Sequence, residues 1–189
     1  MASKSKPKDR ILATASRLFY AQGYNATGIN QILDEAKVAK ASLYKHYGSK
    51  DEVGIAYVKA AREDWFNALN SFLAKKNTSS QKLLACFDFL ERNLRLNEYK
   101  GCRFINLLAE VSGQNAEMRK EIVDHKIALR AFFKTLVTDI ITDKTTATQI
   151  ADSIFILFEG AVVESKIHLD VWAVKTAKRT VTILLNTNN

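Results

Sequence analysis

The stretch Thr27–Lys50, TGINQILDEAKVAKASLYKHYGSK, predicts two short helices joined by a tight turn. Thr27 is a candidate N-cap, because its hydroxyl can accept a hydrogen bond from a free backbone N–H of the first turn. Ile29, Ile32 and Leu33 follow at one-face spacing, so the first helix is amphipathic. The pattern breaks for about one turn after this helix, as it does between the two helices of a helix-turn-helix.

The second short helix is predicted over residues 39–46. Its spacing places Val38, Leu43 and Tyr47 inward. Small side chains let a helix backbone approach the floor of the major groove, and basic or hydroxyl side chains reach base edges and phosphates. The outward set that we expect to contact DNA consists of Lys40, Ala41, Ser42, Tyr44, Lys45 and His46.

A third element begins at Ser49. Glu52 follows three residues later, and this spacing predicts a capping box. Lys50 lies in the first turn, where a lysine beside the free N–H groups of a helix N-terminus would bind a phosphate.

The region Ile11–Val53 resembles the N-terminal domain of TetR-family transcriptional regulators. The resemblance rests on IL-x-x-A-x-x-LF, on Gly23-Tyr24, on Thr27 and on V-x-K-x-S-L-Y-x-H-Y-x-S-K. It implies an all-α fold, with a three-helix DNA-binding domain in residues 1–50 and a larger helical ligand-binding and dimerisation domain in residues 51–189. By position it adds Thr27 and Lys50 to the DNA-contacting set.

Two positions depart from the family pattern. Ala39 stands where a serine commonly caps the recognition helix, and Ala41 stands where glycine is common. Loss of an N-cap costs about 1 kcal/mol, so we expect a frayed recognition helix in the absence of DNA.

Positive charge is concentrated in the first 50 residues. They hold nine Lys/Arg and three Asp/Glu, a net charge of +6, whereas the remaining 139 residues hold 19 and 17, a net charge of +2. Such a bias is typical of a surface that contacts phosphates. The segment Ser3–Lys8 is predicted to be either a solvated tail or an arm along DNA.

The sequence predicts a cytoplasmic protein with free thiols. Arg17 interrupts the first apolar segment, so no secretory signal is expected. The apolar run 154–158 is too short to span a bilayer, and two cysteines without a signal predict thiols rather than a disulfide.

Helical periodicity continues along the chain, and no period-2 strand is found. About nine helices are predicted, including a long one over residues 50–74. The predicted loops are residues 75–80, 97–101, 112–115, 142–146 and 168–170.

The last two helices, predicted at 146–166 and 170–186, have broad apolar faces. The resemblance implies that this pair forms a homodimer interface, and reading a palindromic operator requires two copies; the same faces could instead be intrachain core. The resemblance also implies a cavity for an unidentified small-molecule effector. Its candidate lining residues, each of which could equally be core packing, are Trp65, Phe104 and Phe133.

Cys102 is a candidate redox or electrophile sensor. It follows Gly101 between two cations, and a helix N-terminus and nearby cations favour the reactive thiolate. The segment from Gly101 resembles TetR-family repressors that sense electrophiles or oxidants, and Lys166 lies where those proteins carry a lysine near the thiol. The alternative is that Cys102 is a small buried hydrophobe, as we expect for Cys86.

Neither an enzyme nor a metal or cofactor site is predicted. His46, His125 and His168 are scattered, without ligand spacing; we expect a DNA contact, a core histidine and a loop histidine, respectively. The sequence therefore predicts a repressor released from its operator by an effector. Three rival hypotheses are a thiol-based sensor that is released from DNA by modification of Cys102, a helical ligand-binding protein that does not bind DNA, and a sequence-blind DNA-binding protein.

Overall fold

The computed structural model describes residues 6–111 and 115–187, and these residues form nine α-helices and no β-strand. The predicted all-α class is confirmed. The helices are α1 (Pro7–Gln22), α2 (Ile29–Ala36), α3 (Lys40–His46), α4 (Lys50–Leu73), α5 (Ser79–Leu96), α6 (Arg103–Glu110), α7 (Ala116–Thr138), α8 (Lys144–His168) and α9 (Trp172–Thr187).

Helix boundaries follow local chemistry. Proline at the first position of α1 starts that helix at Pro7, so the segment that we predicted as a tail to Lys8 ends earlier. Side-chain oxygens of Thr78 and Asp143 accept backbone N–H groups and cap α5 and α8. His168, predicted in a loop, is the last residue of α8. The predicted loop 112–115 lies largely outside the described residues.

The helices form two compact units. The first comprises Met1–Asp64 and Arg103–Val123, and the second comprises Trp65–Cys102 and Asp124–Asn189. The first unit therefore contains α1–α3, most of α4, α6 and the start of α7. The domain boundary after residue 50 stays a prediction.

The core of the second unit lies between α5, α8 and α9, which pack against one another. Phe158 of α8 contacts Phe87 and Phe133, with ring centroids 5.5 and 5.3 Å away. Cys86 is buried in this core, as predicted, and burial raises the pKa of its thiol to about 12.

One described helix, α8, is long and apolar enough to cross a membrane by length and composition alone. Core helices of soluble proteins have the same properties, and α8 packs against α5 and α9. Only 39% of its most apolar window is buried, however. An outward apolar stripe therefore remains on α8, formed by Ile156, Val163 and Ile167.

Candidate nucleic-acid interface and effector site

A small apolar core orients the short helix α3. Leu43 of α3 and Ile32 of α2 are fully buried, and both helices pack against α1, where Ile11 is fully buried. Phe19 of α1 also packs against Tyr57, with ring centroids 5.6 Å apart. The inward face of α3 is thus fixed, and its opposite face is presented to solvent.

The outward face of α3 matches the predicted DNA-contacting set. Ser42 is half-buried, whereas Lys40, Ala41, Tyr44, Lys45 and His46 are exposed. Ala39 occupies the N-cap without a side-chain hydrogen bond, as its residue type predicts. Two lysine ammonium groups, one imidazole and two hydroxyl-bearing side chains lie on this one face, which suits base edges and phosphates.

Thr27 does not take the position that we predicted for it. Gly28 is the N-cap of α2, and the Thr27 hydroxyl donates to the Gly23 carbonyl at 2.7 Å. The Thr27 side chain is also fully buried, so it supports the turn between α1 and α2. We therefore remove Thr27 from the proposed DNA contacts, because a buried hydroxyl does not reach a phosphate.

The turn between α2 and α3 contributes a cation, Lys37, that is not among the predicted DNA contacts. Lys37 ends α2 in the left-handed region, with φ of 53°, and its N–H bonds to the Asp34 carbonyl. Arg10 of α1 donates to the Lys37 carbonyl at 3.3 Å. The exposed Lys37 side chain thus lies three residues before the start of α3. Its place in the turn between two predicted helices is the sequence signal that marks it as a further candidate DNA contact.

The start of α4 is capped much as predicted. Ser49 Oγ accepts the Glu52 N–H at 3.1 Å, and the Glu52 carboxylate accepts the Gly48 N–H at 2.9 Å, one residue earlier than in the usual capping box. Lys50 Nζ lies 4.3 Å from the centroid of the Tyr24 ring. Partial burial lowers the pKa of Lys50, and the carboxylates of Asp51 and Glu110 oppose this shift.

Tyr24 connects this turn to α4. Its hydroxyl donates to Asp51 Oδ1 at 2.5 Å. Burial and this hydrogen bond to a carboxylate raise the pKa of Tyr24, so the phenol stays a neutral donor. Lys50 is therefore held over a neutral aromatic ring.

The thiol of Cys102 lies beside a cation that the sequence pattern did not predict. Lys126 Nζ is 3.5 Å from Cys102 Sγ and 2.5 Å from Glu159 Oε2. The side chain of the predicted partner, Lys166, lies alongside Gly101, with its Cδ 2.7 Å from the position of a Cβ there. Lys126 and Glu159 are distant in sequence from Cys102, so no local motif identifies them.

The candidate effector residues are spread over both units. Trp65 is half-buried and contacts Phe66, Phe89 and His125 edge-on, with centroids 5.0 to 5.7 Å apart. His125 is buried, as predicted. Phe133 belongs to the core around Phe158, and Phe104 is buried in the first unit.

Two family models match the chain. Bacterial regulatory proteins of the tetR family match residues 11–56, and the tetracyclin repressor-like C-terminal domain matches residues 79–181. The second match alone covers more than half of the chain.

Relatives with sequence similarity are named as transcriptional regulators. An uncharacterised HTH-type regulator of Lactococcus lactis is 30% identical over 117 residues, 61% of this chain and 60% of that protein. The icaADBC biofilm operon negative transcriptional regulator IcaR of Staphylococcus epidermidis is 30% identical over 119 residues, 62% of this chain and 60% of that protein. The match thus spans about three fifths of the length of these relatives.

Solved structures share the fold. A TetR-family regulator from Streptomyces coelicolor superposes with a TM-score of 0.88, at 22% identity over 98% of this chain and 91% of that one. The reduced form of NemR from Escherichia coli superposes with a TM-score of 0.80, at 21% identity over 95% and 97%. With the family models, these similarities show that the chain belongs to the TetR family of bacterial regulatory proteins.

Proposed function

We propose that this chain is a cytoplasmic, sequence-specific DNA-binding transcriptional repressor that a small-molecule effector releases from its operator. TetR-family regulators bind DNA operators, function as dimers and respond to small-molecule effectors; they are soluble regulators rather than enzymes. The observation that carries the proposal is the outward face of α3, which presents basic and hydroxyl side chains above a buried apolar face.

Within this interface the side chains have different expected roles. Lys40 and Ser42 lie at the start of α3 and are assigned to base edges, with Ala41 allowing close approach. Lys50 binds a phosphate at the start of α4. Tyr44, Lys45 and His46 are assigned to contacts with the sugar-phosphate backbone of DNA.

Selection from a random duplex pool tests these roles. The parent protein should enrich a palindromic sequence, and Lys40→Ala should enrich a different one. Lys50→Ala should enrich the parent sequence with uniformly weaker binding. Recovery of random sequence by the parent would contradict sequence-specific regulation and would favour the sequence-blind alternative.

The partner is a second copy of this chain. The outward stripe of α8 (Ile156, Val163, Ile167) is exposed, and α9 also exposes the large apolar side chains Trp172 and Ile183. Two such faces would bury one another, which explains why so much apolar surface of α8 is left uncovered. Ile156→Glu with Val163→Glu should give a monomer by sedimentation, whereas an unchanged dimer would place the interface elsewhere.

We further propose that the effector binds at the aromatic group around Trp65. Three aromatic rings and the His125 imidazole meet there, and Trp65 and Phe66 are only half-buried. An apolar or aromatic molecule would pack against these rings. Phe104 and Phe133 are more deeply buried, so their predicted lining role depends on a conformational opening.

Release through Cys102 is a second candidate, supported by the Lys126 ammonium beside its sulfur. The sulfur would add to an electron-poor ring carbon of a quinone; a carbon–sulfur bond forms, and the displaced π electrons and the thiol proton go to the quinone oxygen. No separate oxidant is consumed in this addition.

Cysteine variants separate the two candidates. Cys102→Ser should abolish release by benzoquinone, and Cys86→Ser, at the buried thiol, should not. Release of Cys102→Ser at the parental quinone concentration would exclude the thiol route and leave a reversible effector.

A further inference from the structure

Helix α6 contacts the turn between α1 and α2 within the first unit. The backbone N–H of Asn25 donates to Glu110 Oε2 at 2.7 Å, and Asn25 Nδ2 donates to the Glu110 carbonyl at 3.0 Å. A backbone N–H bonded to a carboxylate is a charge-assisted hydrogen bond, which is stronger than one between neutral groups. Two hydrogen bonds thus join residues 85 positions apart in the sequence.

Gly23 shows how closely the carboxylate approaches this turn. Its φ is +98°, a conformation that favours glycine. A Cβ at Gly23 would lie 2.8 Å from Glu110 Oε1, so any other residue would displace the carboxylate. Glycine at this position therefore serves the contact with Glu110 as well as the backbone conformation.

The other end of α6 contacts α1. The guanidinium carbon of Arg103 lies 4.6 Å from the centroid of the Tyr20 ring, a cation–π distance. Nearby in the same unit, Met118 of α7 is fully buried, and its Cε lies 2.5 Å from the position of a Cβ at Gly54 of α4. One end of α6 therefore contacts α1, its other end contacts the turn that follows α1, and the start of α7 contacts α4.

We infer that Glu110 is a positioning residue for DNA binding, which holds the turn between α1 and α2 and thereby fixes α2 and α3 on α1. This inference rests on the proposed DNA-binding function. Other side-chain hydrogen bonds of this turn run from the Thr27 hydroxyl to the Gly23 carbonyl, from Gln22 Nε2 to the Ala26 carbonyl and from the Tyr24 hydroxyl to Asp51. Without Glu110 the Asn25 N–H would lose its carboxylate partner, and the path from α1 into α2 would have more conformations available.

Two substitutions at Glu110 test whether the contact requires a hydrogen-bond acceptor or the negative charge of the carboxylate. Glu110→Ala removes the acceptor, whereas Glu110→Gln keeps a carbonyl oxygen at the same reach. Glu117→Ala is the matched control, because Glu117 is an exposed carboxylate of the same unit, 3.8 Å from Lys59. Each variant is measured by hydrogen exchange of the peptide covering residues 22–28, by operator affinity and by melting temperature.

We expect Glu110→Ala to speed exchange of the Asn25 amide and to weaken operator binding, each by about tenfold, with a nearly unchanged melting temperature. Glu110→Gln should stay within about threefold of the parent, since a neutral acceptor keeps the bond. The control should match the parent.

Parental exchange and parental affinity in Glu110→Ala would overturn the inference, as would an equal loss in the control. Asn25→Asp serves if Glu110→Ala does not fold; it replaces the amide donor by a second carboxylate and should weaken operator binding in the same way. A parent that binds no duplex would contradict the proposed function, while the exchange rate would still decide whether Glu110 holds the turn.

Discussion

The outward face of α3 and the helix contacts of the second unit use their cations differently. In the second unit, Lys126 pairs with Glu159 and Lys178 pairs with Asp88, both at 2.5 Å and both between helices. On α3, neither Lys40 nor Lys45 forms an ion pair within the described part of the chain. Paired cations join helices to one another, whereas cations left in solvent are available for an external anion. This contrast separates the residues that maintain the fold from those that we propose bind DNA.

The largest expected effect is on the free energy of unfolding, when the buried residue that anchors α3 is truncated. Leu43→Ala should lower the free energy of unfolding by about 2–5 kcal/mol, because Leu43 is fully buried. Tyr44→Ala, at the next position and 48% exposed, should change it by less than about 0.5 kcal/mol. Urea unfolding measures both variants; equal losses would mean that α3 has no distinct inner and outer faces.

A smaller loss is expected when a paired cation is removed. Lys126→Ala leaves the Glu159 carboxylate, 23% exposed, without its partner, which should cost about 1–3 kcal/mol. Lys178→Ala removes a more exposed pair and should cost less than about 1 kcal/mol. Neither variant should change operator affinity. A loss of affinity in either variant would contradict the distinction between paired cations that stabilise the fold and unpaired cations that bind DNA.

Removal of an unpaired cation should instead change DNA affinity and leave stability unchanged. Lys45→Ala should leave unfolding unchanged within about 0.5 kcal/mol. It should reduce the slope of log affinity against log salt by about one unit, since one phosphate contact is lost. Affinity titrations between about 50 and 200 mM salt measure the slope. An unchanged slope would exclude Lys45 from the interface.

The smallest expected effect is a pH dependence in the second unit. The Thr146 backbone N–H holds the pKa of Asp143, the N-cap of α8, below its usual value. A carboxyl with a lowered folded-state pKa stabilises the fold above its unfolded pKa of about 3.9, and this contribution is lost as pH falls through the folded pKa. Asp143→Asn should therefore lose less stability than the parent between about pH 5 and pH 2.

Local spacing predicted the outward face of α3, because residues 40–46 lie on one short helix and its faces follow from the helical period. The prediction that Thr27 caps α2 was wrong. A hydroxyl residue near a helix start is typical of an N-cap, but Gly28 occupies the N-cap position and the Thr27 hydroxyl donates to the Gly23 carbonyl instead. Lys126, Glu159 and Glu110 were not predicted as partners. Their contacts join residues 24 to 85 positions apart, and helical periodicity carries no information about such separations.

The most direct test of sequence-specific DNA binding is fluorescence anisotropy with the duplex upstream of the protein's own gene and a scrambled duplex, at about 150 mM salt. We predict tight binding to the native duplex and a preference of about 10³-fold or more over the scrambled one. Equal, weak binding to both duplexes, together with no enriched sequence from the random pool, would contradict the assignment of α3 as a reader of DNA sequence.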